Sequence, residues 1–69
     1  MDATPVVELI EREQRNGTTV VDIAALVGVD EAAIRRLLKS PRATIARLDR
    51  ICCALDHPEL ISIHYGDVV

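Results

Sequence analysis

The stretch from Val20 to Lys39 constrains this chain more than any other, because it has room for two short helices and one tight turn. Its sequence is VVDIAALVGVDEAAIRRLLK. Gly28 interrupts the helical pattern, and glycine readily adopts the positive φ with which a helix can end in a sharp turn. We therefore predict helices over 20–27 and 31–39, joined by a turn at Gly28-Val29.

Apolar residues on the two predicted helices recur at helical spacing, so that they can close the helices against each other. They are Ile23, Ala24, Val27, Val29, Ile34, Leu37 and Leu38. The apolar residues of the second helix leave one side free, and that side carries Arg35, Arg36 and Lys39. A braced helix that holds another outward is the arrangement of a helix-turn-helix.

Two further helices are predicted on either side of this unit. The first covers about 5–16 and follows Thr4-Pro5, where threonine can cap the helix and proline lacks an N–H that the first turn does not need. The last covers about 45–56, after a possible cap at Thr44, and Pro58 forbids its continuation.

The segment 60–65 is β-branched and partly alternating, which predicts a short strand. A single strand is not stable alone, and the chain has no second strand-like segment. We therefore predict that it pairs with the same strand of a second copy, the alternative being that the tail folds back onto its own first helix. The predicted interface residues are Leu60, Ile61, Ile63 and Tyr65.

The predicted fold is one all-α helix-turn-helix domain over 1–69, with four to five helices and a short C-terminal β-strand for dimerisation. Its only aromatic residue, Tyr65, gives no platform for stacking single-stranded bases. The two cysteines are adjacent and cannot form an ordinary structural bridge, which indicates a reduced, cytoplasmic protein. There is no bilayer-length apolar run and no signal-peptide pattern, so we expect no membrane partner.

Charge is unevenly distributed along the chain. Residues 32–50 hold six basic residues and one acid, a local charge of +5, whereas residues 1–31 carry −5 and residues 51–69 carry −3. A basic segment of this kind can contact phosphates even though the whole chain carries −3. The alternative is a solvated helix face with scattered arginines.

Other chemistry is poorly supported by the sequence. Cys52, Cys53, His57 and His64 are close together, but vicinal cysteines cannot easily supply two tetrahedral vertices to zinc. No Ser–His–acid or Cys–His pattern indicates a catalytic site. We therefore predict no metal, no cofactor and no enzymatic activity.

Over roughly 18–55 the chain resembles the lambda-repressor/Cro-type (XRE-like) helix-turn-helix family. The resemblance rests on the spacing of Ala24, Gly28, Ile34 and Leu37, and on the pattern LxxIxxAL formed by Leu48, Ile51, Ala54 and Leu55. It implies a transcriptional regulator, Cro-like or an autoregulatory repressor, that binds double-stranded DNA. Helix 31–39 would enter the major groove, and a homodimer would read a palindromic operator.

On this interpretation Arg35 and Arg36 contact guanines, while Lys39 and Arg42 contact phosphates. Hydroxyls and free amides at helix N-termini also suit phosphate oxygens. The predicted DNA-binding residues are Thr18, Thr19, Glu31, Ala32, Arg35, Arg36, Lys39, Arg42 and Thr44. Arg47 and Arg50 either reach the flanking backbone or pair with Asp49 and the acidic first helix.

Two departures from the family pattern favour a different function. The family often opens its second helix with a polar residue, commonly Gln, where this chain has Val20. Asp30 and Glu31 open the recognition helix and repel phosphate, although a carboxylate can accept a hydrogen bond from cytosine N4. The alternative is a helical protein–protein interaction module, such as a small antitoxin or adaptor that binds an acidic protein partner.

Overall fold

The computed structural model describes residues 1–66, and this part of the chain forms five helices and no sheet. The helices are α1 (Thr4–Arg15), α2 (Val20–Val27), α3 (Glu31–Lys39), α4 (Ile45–Ala54) and α5 (Glu59–Tyr65). The first four lie within two residues of the predicted ranges. The all-α prediction is confirmed.

Two threonines, Thr19 and Thr44, cap the N-termini of α2 and α4, the helices before and after α3 in the sequence. The Asp22 N–H donates to Thr19 Oγ1 over 3.2 Å at the start of α2, and the Arg47 N–H donates to Thr44 Oγ1 over the same distance at the start of α4. These side chains satisfy N–H groups that have no partner within their own helices. Asp30 precedes α3 in extended conformation but makes no side-chain capping hydrogen bond.

Gly28 ends α2 in the left-handed conformation, with φ of 83° and ψ of 36°. The N–H groups of Gly28 and Val29 both donate to the Ala24 carbonyl, over 2.8 and 3.0 Å. Residues 28–30 thus join α2 to α3 through a tight turn, which confirms the predicted turn. It also positions α3 directly against α2.

The core is aliphatic and draws on every helix. Leu48 and Ile51 of α4 are fully buried, and α4 packs against α1, α2 and α5. The buried residues are Ala3, Val6, Leu9, Ile10, Val20, Ile23, Ala24, Val27, Ile34, Leu37, Leu48, Ile51, Cys52, Leu55 and Ile61. None of the buried residues among those described is polar or charged. No buried side-chain nitrogen or oxygen of these residues lacks a hydrogen-bond partner.

The predicted C-terminal strand over 60–65 is wrong, because this segment is the helix α5. Apolar residues here fit both periods: Ile61, Ile63 and Tyr65 alternate, while Ile61 and Tyr65 also share one helical face. The structure uses the helical period, since Ile61 is buried and Ile63 is exposed. Packing against α1 and α4 outweighs the β-propensity of the isoleucines.

The first three residues contact both the α3–α4 connection and α5, and the sequence gives no prediction of these contacts. The Ala3 N–H donates to the Pro41 carbonyl over 2.9 Å, and the Ala43 N–H donates to the Met1 carbonyl over 3.2 Å. Tyr65 Oη donates to the Asp2 carbonyl over 2.7 Å. The N-terminus therefore ties the α3–α4 connection to α5.

The start of α1 also differs from the prediction that Thr4 is its cap. Thr4 is the first residue of the helix, and its N–H and Oγ1 donate to Asp2 Oδ1 over 3.0 and 2.7 Å. These hydrogen bonds, the side-chain one first, lower the pKa of Asp2.

No helix in residues 1–66 is long and apolar enough to cross a membrane.

Candidate nucleic-acid interface

The exposed face of α3 carries most of its charge. Ile34 and Leu37 are buried against the rest of the domain, whereas Arg35, Arg36 and Lys39 are exposed. This division follows from the helical period, because three to four residues separate side chains on the same face. The helix is therefore anchored on one side and presents three basic side chains on the other.

Arg35 is not free on this face. Its Nε donates to Glu31 Oε1 over 2.8 Å, and its Nη2 donates to the same oxygen. The two side chains are one helical turn apart and are 65% and 41% exposed, for Arg35 and Glu31 respectively. Arg35, one of the two arginines predicted to contact bases, is thus held along the helix beside its first turn.

A basic groove runs between α3 and the start of α4. Asp30 is its one acidic lining residue among those described. Its basic and hydroxyl-bearing lining residues are Arg36, Lys39, Ser40, Arg42, Thr44 and Arg47. The N-terminus of α4 lies in this groove, and the partial positive charge of a helix N-terminus favours anions.

A smaller recess lies on the other side of α3, beside the start of α2. Arg35 borders it together with Thr18 and Thr19, and its remaining lining residues are Gln14, Gly17, Val20 and Val21. Thr19 caps α2, so the recess also contains a helix N-terminus. Basic side chains of α3 thus contribute to two separate depressions, each next to the start of another helix.

The predicted DNA-binding residues are therefore grouped around α3. Thr18, Thr19 and Arg35 border the recess, whereas Arg36, Lys39, Arg42 and Thr44 border the basic groove. Glu31 and Ala32 lie in the first turn of α3, and Ala32 is exposed. These residues come from three separate segments of the sequence: the α1–α2 connection, α3 and the α3–α4 connection.

Arg47 belongs to the groove although the predicted site omitted it. Its position three residues after the cap of α4 places it in the first turn, and this spacing was a usable signal. Arg50 instead lies over the α2–α3 turn, where its Nη2 donates to the Gly28 carbonyl over 3.5 Å. Within residues 1–66 neither arginine forms the predicted ion pair with Asp49.

The four predicted dimer-interface residues have different surroundings. Ile61 is 4% exposed and belongs to the core of its own chain, and Leu60 packs against that core. Tyr65 is partly buried and uses its hydroxyl within the chain. Ile63 remains 67% exposed. A two-stranded ribbon between copies does not fit this arrangement, and the tail folds back instead.

The cysteine region contains two different thiols. Cys52 is fully buried, and burial raises the pKa of its thiol to about 11. Cys53 is exposed, and its pKa is raised by desolvation and by the Asp49 carboxylate, whose Oδ1 lies 3.8 Å from Sγ. No group of three potential metal ligands occurs within residues 1–66.

The fold and the site together define a small all-α domain in which two packed helices are joined by a glycine turn and the second of them, α3, carries a basic outer face. No family model, curated protein or solved structure matches the chain. Its function therefore has to be inferred from the residues and their geometry.

Proposed function

We propose that the chain is a sequence-specific double-stranded DNA-binding transcriptional regulator, a Cro-like or autoregulatory repressor of the helix-turn-helix type. In this proposal α3 enters the major groove. The observation that carries it is the position of α3 between two depressions that suit phosphates, the basic groove and the recess. A major groove likewise has a phosphate backbone along each of its two sides.

The basic groove supplies the stronger of the two backbone contacts. It combines the N-terminus of α4 with Lys39, Arg42 and Arg47, which carry three positive charges on flexible side chains. On the other side the N-terminus of α2 and the Thr18 and Thr19 hydroxyls can donate to a phosphate. These contacts fix the orientation of α3 and depend on salt, because each neutralised phosphate releases a counterion.

Sequence is read by the exposed face of α3, from Arg36 at the border of the basic groove to Arg35 at the border of the recess. Arg36 is exposed and is not engaged in an ion pair with another residue of the described chain, so its guanidinium can make two hydrogen bonds to a guanine. Arg35 and Glu31 lie nearer the start of the helix. Ala32 is small enough to leave the helix N-terminus close to the bases.

We further propose that the regulator acts as a homodimer on a palindromic operator. A single domain of 69 residues buries little surface on DNA, and two-fold symmetric binding doubles the contacts. Ile63, exposed on α5, is an apolar residue available for such pairing. This form of dimer leaves the contacts of Ile61 and Tyr65 within each copy unchanged.

A second candidate function is a helical protein–protein interaction module. Its arginine face would bind an acidic protein partner, such as the toxin of a small antitoxin. The observation that favours a protein partner is the outer face of α2, where Val21 and Leu26 are 57% and 61% exposed. They are five residues apart, so they lie at opposite edges of the solvent-facing side of α2 and offer a protein partner two separate apolar contacts.

The experiment that separates these functions is a binding titration with DNA from the promoter of the protein's own gene, at several salt concentrations. Arg35→Ala combined with Arg36→Ala should weaken operator binding at least about 30-fold, since each guanine contact contributes about 1–3 kcal/mol. Arg12→Ala combined with Arg15→Ala removes the same charge from α1 and should change binding much less.

Circular dichroism of both double variants should show unchanged helix content, because all four arginines are exposed. Operator affinity retained by the α3 double variant would refute the residue assignment. Absence of binding to any promoter DNA, with binding to an acidic protein, would establish the second function instead.

A further inference from the structure

We propose that Glu31 and Arg35 act as one unit that reads a single G·C base pair in the major groove. This inference rests on the proposed DNA-binding function. Glu31, at the acidic start of α3, then contributes to base specificity. Its negative charge considered by itself would only repel phosphates.

The geometry of the pair leaves one edge of each group available. Arg35 uses Nε and one hydrogen of Nη2, both directed at Glu31 Oε1. The two hydrogens of Nη1 and the second hydrogen of Nη2 remain, so the end of the guanidinium still presents two adjacent donors. Glu31 Oε2 accepts no hydrogen bond from the described residues 1–66 and remains an acceptor.

Along the pair these groups follow the order donor, donor, acceptor: Nη1, Nη2 and then the Glu31 carboxylate. The major-groove edge of a G·C pair presents the complementary order, with guanine N7 and O6 as acceptors and cytosine N4 as a donor. An A·T pair presents acceptor, donor and acceptor, which mismatches two of the three positions. The paired side chains therefore match G·C and discriminate against A·T.

Pairing also fixes the guanidinium before DNA arrives. Arg35 is 65% exposed, and without Glu31 its long side chain would sample many rotamers that a base contact must restrict. Glu31 gains as well, because the adjacent cation offsets its repulsion of nearby phosphates. Both effects require the two residues to be present together, so their contributions to base preference should be coupled.

The test measures the binding of the full chain to an operator selected from random duplexes, and to every single-base-pair variant of that operator. The wild type should prefer G·C at one position of each half-site by about 5- to 150-fold. Glu31→Ala and Arg35→Ala should each reduce this preference at that same position at least about fivefold. The double variant should lose no more than the larger single effect, because either change breaks the unit.

Two control variants distinguish base recognition by the paired Glu31 and Arg35 side chains from a general effect of charge. Glu31→Asp keeps the charge but shortens the side chain by one methylene, so it should lose the base preference while salt dependence stays unchanged. Glu8→Ala removes one exposed charge from α1 and should leave the preference intact. Circular dichroism confirms that each variant is folded.

Base preference unchanged in Glu31→Ala, or a uniform gain of affinity for all duplexes, would overturn the reading unit while leaving the proposed function in place. Additive effects of the two alanine substitutions at different positions would overturn it in the same way. A wild-type chain that binds no duplex would overturn the proposed function, and the reading unit with it.

Discussion

Replacement of Gly28 by alanine tests the turn on which the position of α3 depends. Gly28 has φ of 83°, a conformation that costs an L-residue with a Cβ about 1–2 kcal/mol. Alanine also reduces the freedom of the unfolded chain, which returns about 0.4–1 kcal/mol. The two terms together therefore predict a net loss of about 0–1.6 kcal/mol in the free energy of unfolding.

A second contribution comes from Arg50. A Cβ at position 28 would lie 2.8 Å from Arg50 Nη2, which is closer than real contacts allow. The guanidinium is the far end of a flexible side chain and can move, but it then gives up its hydrogen bond to the Gly28 carbonyl. We therefore expect Gly28→Ala to cost about 0.5–2 kcal/mol in total, with the exposed hydrogen bond contributing about 0.5 kcal/mol.

Urea denaturation followed by circular dichroism measures this loss, and Gly17→Ala is the matched control. Gly17 has φ of 98° and nothing lies within 4 Å of its added Cβ, so its substitution carries backbone strain only. Gly28→Ala should therefore be the more destabilising of the two. In an Arg50→Ala background, where the hydrogen bond to the Gly28 carbonyl is already absent, Gly28→Ala should cost only the backbone strain.

This account of the turn would be refuted if Gly28→Ala lowered the free energy of unfolding by less than about 0.5 kcal/mol, or by less than Gly17→Ala does. Operator binding gives a second measurement. A folded Gly28→Ala chain whose α3 is displaced should bind more weakly than its loss of stability explains.

Three further predictions concern the core, the thiols and the N-terminus. Leu48→Ala should lower the free energy of unfolding by about 2–5 kcal/mol in urea denaturation, because Leu48 is fully buried, whereas Leu26→Ala at an exposed position should change it by under about 0.5 kcal/mol. Alkylation with iodoacetamide followed by mass spectrometry should label Cys53 alone in the folded protein and Cys52 only after unfolding; equal labelling rates would contradict the burial of Cys52. Asp2→Ala should destabilise the protein near neutral pH and lose this effect on acidification: the pKa of Asp2 is lowered from 3.8 in the folded state, so its stabilisation is present above that value and disappears as the pH falls through the lowered one. A stability difference that stays constant from pH 7 to pH 2 would refute that role.

Most of the fold could be predicted because its signals are local. Thr44 caps α4 as predicted, Thr19 caps α2, and Gly28 ends α2 in a left-handed conformation. The pairing of Glu31 with Arg35 was also available from their spacing of four residues, which places side chains on one helical face.

The candidate site could be predicted in its membership better than in its geometry. Charge distribution identified the basic segment, but it did not show that Arg35 and Arg36, adjacent in sequence, border different depressions. Successive residues of a helix point about 100° apart, so Arg36 faces the groove toward the start of α4 while Arg35 faces the recess at the start of α2. Arg47 lines the basic groove because the first turn of α4 borders it, which depends on where α4 lies in the fold.

The sequence by itself determined the four helices over the first 54 residues, the turn between α2 and α3, and an aliphatic core of helical period. Those features depend on hydrogen bonds and side-chain spacings within a few residues. Tertiary structure alone decided the state of residues 59–65 and the antiparallel contact of residues 1–3 with 41–43. Leu60 to Tyr65 can alternate as a strand or turn as a helix, and burial of Ile61 against α1 and α4 selects the helix.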